Sequence, residues 1–416
     1  RDRHSRVVQV TANKPIPELA QVRLGYIPLT DAAPLIIALE HGHFARYGLD
    51  VALSQQTSWA TLRDKLGVGY LDGAHLLAPM ALACSLGIEG LQQPLVTALS
   101  LGLNGNAITL ADNLFRDMQV SAGGYATSAA ALAAVVAQRR ASGADPLTFA
   151  SVYPASNHTY LLRYWLSAAG IDPDRDVKLI VVPPPQMVQR LRQGAIYGYC
   201  VGEPWNTLAV REGVGGIAAT GHDVWNNAPE KVLAVSAAWA ERYPATHAAL
   251  ISALVEAAQW LDASLENRRE AAVLLARPEY LDLPVEVIVG SLVGDVAVDP
   301  RGGRRELSDF HVFHRYAANF PWRSHALWML EQMVRSGQLS EDADLVAVAE
   351  AVYRPDIYRR SVGHLGLPVP VVDMKAEGGH RGVWKLGEGD EAVTLGPDRF
   401  IDNAVFDPRV LGAKIA

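Results

Sequence analysis

Cysteine is nearly absent: Cys84 and Cys200 are the only two in 416 residues, and each lies in an apolar segment. They read as two buried, reduced thiols, with a disulfide between them as the lesser alternative. There is no Cys-x-x-Cys pair and no Cys/His cluster at metal-ligand spacing, so neither a metal nor a cofactor is expected. Basic charge is not in excess either. The 37 Lys and Arg stand against 44 Asp and Glu, a net charge of −7. Arg301, Arg304 and Arg305 form the densest basic patch and read as a solvated loop, so no direct nucleic-acid binding is expected. Apolar stretches fall short of the ~18–20 residues of a membrane span.

The start, Arg1-Asp2-Arg3-His4-Ser5-Arg6, shows no apolar signal core and no cysteine for a lipid anchor, and no Met opens it. This reads as a cytoplasmic chain, or as a periplasmic or membrane-anchored one if a signal has been trimmed. Catalytic signatures are missing as well: no Gly-x-Ser-x-Gly elbow, no Walker loop, no His-Glu-x-x-His. The run Gly102-Leu103-Asn104-Gly105-Asn106-Ala107 approaches a dinucleotide loop but lacks its third glycine. The twelve histidines are scattered. No enzyme is expected.

What the chain does have is strand–helix alternation. Val22 to Ile27 predicts a strand, Ala32 to Leu39 a helix, Leu49 to Leu53 a strand, Ser58 to Leu66 a helix with Ser58 as its cap, and Gly73 to Leu77 a strand. The alternation recurs at 177–201, and Gly69 to Ala74 and Gly194 to Tyr199 repeat one turn. Such βαβ units imply parallel sheets in an α/β fold with two facing lobes. After Pro229 the pattern turns helical, with helices at 244–265 (Thr246 a cap candidate), 324–337 and 343–353. Residues 296–307 read as a charged loop, and the polar, Gly-rich stretch 374–390 as a mobile loop or hairpin. In an open α/β sheet, ligands bind beyond the carboxyl ends of the strands. Here those ends open helices, whose N-termini suit a small anion.

Several long runs taken in order resemble the nitrate/nitrite-binding family of ABC-transporter solute-binding proteins. They are Leu29-Thr30-Asp31-Ala32-Ala33-Pro34, Ser58-Trp59, Leu71-Asp72-Gly73-Ala74-His75, Val181 to Met187, Cys200-Val201-Gly202-Glu203-Pro204-Trp205-Asn206, Pro229-Glu230-Lys231 and Phe320-Pro321-Trp322. The run Leu103 to Thr109 is similar to the family's NasS-type sensor branch. The resemblance implies a type II periplasmic-binding-protein fold. Lobe one would be residues 18–108 and 230–300, lobe two 109–229, with a helical C-terminal extension over 301–416 packed on lobe one.

It also implies a site. Trp59 would cover the anion and donate its indole N–H, although a lone Trp is otherwise ordinary core. Asn106 stands where nitrate transporters carry Gln, keeping an amide with shorter reach. His158 would supply an imidazole. Gly202 would allow close backbone approach, since a Cβ there would intrude. Glu203 would serve through its backbone. Lys231 would supply positive charge where bicarbonate-binding relatives carry an acid, and so favour nitrate or nitrite. Two roles follow. One is a sensor that holds an RNA-binding antiterminator and releases it on ligand binding; the other is the extracytoplasmic receptor of an ABC importer, with a permease as partner.

Overall fold

The computed structural model describes residues 13–88, 90–389 and 392–412. The reading of residues 1–6 lies outside these. The first eleven strands are β1 (Gln21–Tyr26), β2 (Asp50–Gln55), β3 (Gly73–Leu77), β4 (Leu95–Ser100), β5 (Leu103–Asn104), β6 (Asn106–Ala111), β7 (Thr148–Ser151), β8 (Lys178–Val181), β9 (Gly198–Gly202), β10 (Gly215–Thr220) and β11 (Lys231–Ser236). Two five-stranded sheets form from them, in the orders β2-β1-β3-β11-β4 and β10-β6-β9-β7-β8.

Burial follows the cover over each strand. Central β3 is buried at every residue, and so is β4, an edge strand flanked by the helices Leu345–Val352 and Pro355–Val362. Edge strand β2 has exposed or half-buried residues at five of its six positions. The βαβ strands run parallel, as expected: β1 with β2 and β3, and β7 with β8 and β9. The sheets are nonetheless mixed. β11 runs antiparallel to β3 and β4, and β6 antiparallel to β9 and β10. The chain passes from the first sheet to the second between β4 and β6 and returns between β10 and β11. A strand that begins at such a crossing is not set by a βαβ crossover, which leaves its direction free.

The predicted helices form as Ala33–Glu40, Trp59–Gly67, Pro244–Ala263, Arg323–Arg335 and Leu345–Val352. The cap predicted at Thr246 is replaced by a distant one. Thr246 lies inside the helix Pro244–Ala263, and the Glu18 carboxylate accepts from the N–H groups of Ala245 (2.9 Å) and Thr246 (2.7 Å). Residues 296–307 form a hairpin rather than a loop, with Arg301 and Arg304 exposed as expected and Arg305 half-buried. Asp295–Ala297 pairs with Arg304–Glu306 as a hairpin, Arg305 makes two hydrogen bonds to Asp223 (2.7 and 2.8 Å), and Arg301 donates to Asp112 at 2.8 Å. Charged partners supplied by distant sequence tie these arginines down.

Beyond Leu365 most of the tail lies outside helices and strands, and Trp384–Leu386 pairs with Val393–Leu395. This region packs on the first sheet's side, where Arg323–Arg335 and Leu345–Val352 lie on the helix Ala78–Leu86. It also reaches the second sheet's side: the Trp225 ring lies 4.7 Å from that of Trp328 and 4.6 Å from that of Phe400. Among the described residues no single helix is long and apolar enough to cross a membrane.

Candidate anion-binding site

Two helices begin alike and meet. Ser58 caps Trp59–Gly67 by accepting from Thr61 N–H at 3.2 Å, and Ser156 caps Asn157–Ser167 by accepting from Thr159 N–H at 3.1 Å. The first cap follows strand β2 of the first sheet, the second follows β7 of the second. They place Trp59 and His158 in the opening turns of their helices, where backbone N–H groups carry partial positive charge.

Between these two residues stands Lys231, the first residue of β11. Its Nζ donates to Asp31 Oδ2 at 2.8 Å and to Glu230, and lies 5.5 Å from the centroid of the Trp59 ring. The other oxygen of Asp31 lies 2.9 Å from His75 Nε2. Asn106 at the start of β6 donates its amide to Glu230 Oε2. His158 Nε2 lies 3.3 Å from Glu230 Oε1 without hydrogen-bond alignment. Every one of these side chains is buried.

Burial and charge compete here with different winners. For Lys231, burial pulls the ammonium down, but Asp31 and Glu230 outweigh it and hold it above the usual lysine value. For Asp31, burial pushes up, while Lys231 and His75 outweigh it and hold the carboxyl below the usual range. For Glu230, burial wins over Lys231 and the carboxyl is raised. Burial, reinforced by Lys231, drives His158 well below the usual imidazole value, so it is neutral.

Several buried polar atoms here have no hydrogen-bond partner in the protein: Trp59 Nε1, Thr30 Oγ1, Asn106 Oδ1 and both ring nitrogens of His158. Native interiors leave few such atoms, because each unmatched one costs about 1–3 kcal/mol. Several in one cluster mark a place where a polar ligand completes the set. The cluster is closed over by contacts between elements of the two sheets: Thr30 N–H to Glu203 C=O at 2.8 Å, Arg63 to the Tyr153 hydroxyl at 2.8 Å, and the Asn157 amide to Pro229 C=O. A cavity of about 10 Å³ adjoins it, bordered by Asp31, Asn104, Glu230, Lys231 and His311. That is room for about one water molecule.

The structure therefore brings Trp59, Asn106, His158 and Lys231 together, with four differences from expectation. The charge of Lys231 is already matched by two carboxylates, and the Asn106 amide donor is held by Glu230. At Gly202 an added Cβ would meet Leu29 at 3.5 Å and Asn106 Oδ1 at 3.7 Å, ordinary contacts, so protein packing alone does not demand glycine. Glu203 does not offer its backbone: its N–H donates to Gly105 C=O at 3.1 Å and its C=O accepts from Thr30. Its side chain accepts from Thr207 N–H at 3.2 Å and is pushed up by burial to about 7.

Asp31, His75 and Glu230 belong to the cluster but were not expected as site residues. Their signal is polarity within apolar runs: His75 stands in a strand buried throughout, and Asp31 lies in the buried turn Thr30–Ala32 that leads into the helix Ala33–Glu40. Among the described residues, no group of three or more His, Cys, Asp or Glu is placed to hold a metal ion.

This geometry coincides with likeness to known proteins. The chain is 39% identical to the nitrate import ATP-binding protein NrtC of Synechocystis, over 84% of this chain. It spans only about half, 51%, of that relative. It is 37% identical to the nitrate/nitrite binding protein NrtA of Synechococcus elongatus, covering 95% of this chain and 88% of the relative. The crystal structure of the periplasmic nitrate-binding protein NrtA from Synechocystis matches with a TM-score of 0.84 at 33% identity, over 96% of this chain and 98% of that one. The last match overturns the cytoplasmic placement read from the N-terminus, because the protein matched over nearly its whole length is periplasmic. The NMT1-like family model matches residues 16–276, more than half the chain, and the chain belongs to that family.

Proposed function

We propose that this chain is the extracytoplasmic solute-binding receptor of an ABC importer for nitrate or nitrite, and that it performs no chemistry on the anion. The observation that carries this is the group of unmatched buried donors, Trp59 Nε1, Thr30 Oγ1 and the His158 ring, gathered around Lys231 between two sheets. An anion with several acceptor oxygens and no proton of its own satisfies such donors. The ligand residues are Trp59, Asn106, His158, Gly202 and Lys231, with Glu203 holding the turn beside Gly202. The lobes are 18–108 with 230–300, and 109–229. Ligand contacts made to both favour their closed arrangement, which a permease would read.

The sensor reading, with release of an RNA-binding antiterminator, would use the same closure. Similarity to proteins named as importer components favours the receptor. Titration calorimetry with nitrate, nitrite and bicarbonate tests the ligand assignment. Nitrate or nitrite binds and bicarbonate does not, and Lys231→Glu, with its near-UV circular dichroism retained, loses nitrate binding. Normal nitrate binding by a folded Lys231→Glu protein would show that the anion lies elsewhere.

A further inference from the structure

We propose that Glu230 is a ligand-site residue that takes up the anion together with one proton, held between its carboxyl and His158. This rests on the anion-binding reading above and concerns how the same site balances its charge.

Around Glu230 are Asp31 from the turn Thr30–Ala32 with His75 on β3 behind it, Asn106 on β6, His158 on the helix Asn157–Ser167, the Cys200 thiol on β9, Lys231 on β11, and His311 across the adjoining cavity. Burial lowers all three histidines, so they are neutral, and it raises the thiol, so that is neutral too. Two carboxylates then face one ammonium, a net charge of −1 in a closed, buried cluster. A monovalent anion would bring this to −2 with no cation to match it, the arrangement a low-dielectric interior tolerates least. A proton arriving with the anion restores the original balance.

The geometry selects where the proton goes. Asp31 is gripped on both oxygens, by Lys231 at 2.8 Å and His75 at 2.9 Å. Glu230 shares its lysine with Asp31, and burial already disfavours its charged form. His158 Nε2 stands 3.3 Å away with no hydrogen bond of its own. Protonation turns this pair from an acceptor facing the anion into a donor to it. Glu203 also titrates near neutrality, but its carboxylate is turned onto Thr207 N–H, and the Glu230 variant below separates the two.

The test is calorimetric titration of the intact chain with sodium nitrate in two buffers of different ionisation heat at one pH. Nitrate stays ionised throughout, so any proton taken up is bound by the protein. The expected result is about one proton absorbed per anion, with affinity weakening roughly tenfold per pH unit on the alkaline side. Glu230→Gln keeps the shape and the amide contact but removes the charge. It should bind nitrate at least as tightly at high pH, with little pH dependence and little proton uptake. Should that variant fail to fold, the two-buffer measurement on the parent decides alone. Nitrate binding with buffer-independent heat and pH-independent affinity overturns the proton coupling and leaves the nitrate reading standing. Undiminished proton uptake in a folded Glu230→Gln protein overturns the assignment to Glu230. Absence of nitrate binding at every pH overturns the nitrate reading, and this inference with it.

Discussion

Replacing Lys231 by methionine removes an ammonium that two buried carboxylates share. The side chains involved are 1% exposed at Lys231, 3% at Glu230 and 10% at Asp31, so solvent cannot take over the lysine's role. Breaking a buried ion pair by deleting one partner costs about 3–5 kcal/mol, a large part of the roughly 5–15 kcal/mol that holds a typical domain together. The cost should depend on pH. In the parent, the Asp31 carboxyl is held below its ordinary value, so its contribution is present above pH ~4 and is lost as pH falls through the lower folded value. Lys231 is held above its ordinary value, so its contribution is complete throughout the neutral range and is lost only on the alkaline side. In Lys231→Met the same carboxylates are buried without a cation and should take up protons well above their ordinary values. The parent's advantage in urea unfolding should therefore be largest near pH 8 and shrink by pH ~5.5. Adding Asp31→Asn and Glu230→Gln to Lys231→Met should recover most of the loss, since no unmatched charge remains. A loss under about 1 kcal/mol at pH 8, or one of equal size at both pH values, would refute this description of the cluster.

Two further outcomes follow from named contacts. Trp59→Phe keeps an aromatic ring but deletes an indole N–H that has no partner in the protein. The smaller ring in a fully buried position should cost about 1–2 kcal/mol of stability, while nitrate affinity of the folded variant falls roughly ten- to hundredfold, as for the loss of a hydrogen bond to a charged group worth about 1.5–3 kcal/mol. Unchanged affinity would place the indole outside the site. Arg305→Ala strips Asp223 of a partner bound through two hydrogen bonds and should cost about 1.5–3 kcal/mol in denaturant unfolding. Burial pushes Asp223 up, but Arg305 outweighs it and holds the carboxyl low. The parent's advantage should therefore persist at neutral pH and fade as pH drops below the carboxylate range. A pH-independent difference would mean that the pair contributes packing rather than charge.

Local chemistry was legible in the sequence wherever it acted locally. Strand β3 begins and ends as expected at Gly73 and Leu77, because a glycine turn precedes an apolar run broken only by His75. The cap at Ser58 was readable because its hydrogen bond reaches only three residues ahead. Direction was not readable at β11, whose neighbours β3 and β4 lie across two crossings of the chain, or at β6, which begins just after the first crossing. Thr246 looked like a cap, yet the cap comes from Glu18, more than 220 residues away. Arg305 looked solvated because Asp223, its partner, is about 80 residues distant. The site divides the same way. Trp59, His158 and Lys231 carried a family pattern, and Glu230 is the neighbour of Lys231 in the chain, whereas the grip of Asp31 on Lys231 joins residues 200 apart.

The central claim is that nitrate or nitrite lies between the two sheets, against Trp59, His158 and Lys231. The most direct measurement is a crystal structure of the intact chain grown with nitrate. The account predicts the anion within hydrogen-bond distance of Trp59 Nε1 and a His158 ring nitrogen, with Lys231 drawn away from at least one of its two carboxylates. An anion bound elsewhere, with Lys231 still clasped by both Asp31 and Glu230, would contradict it.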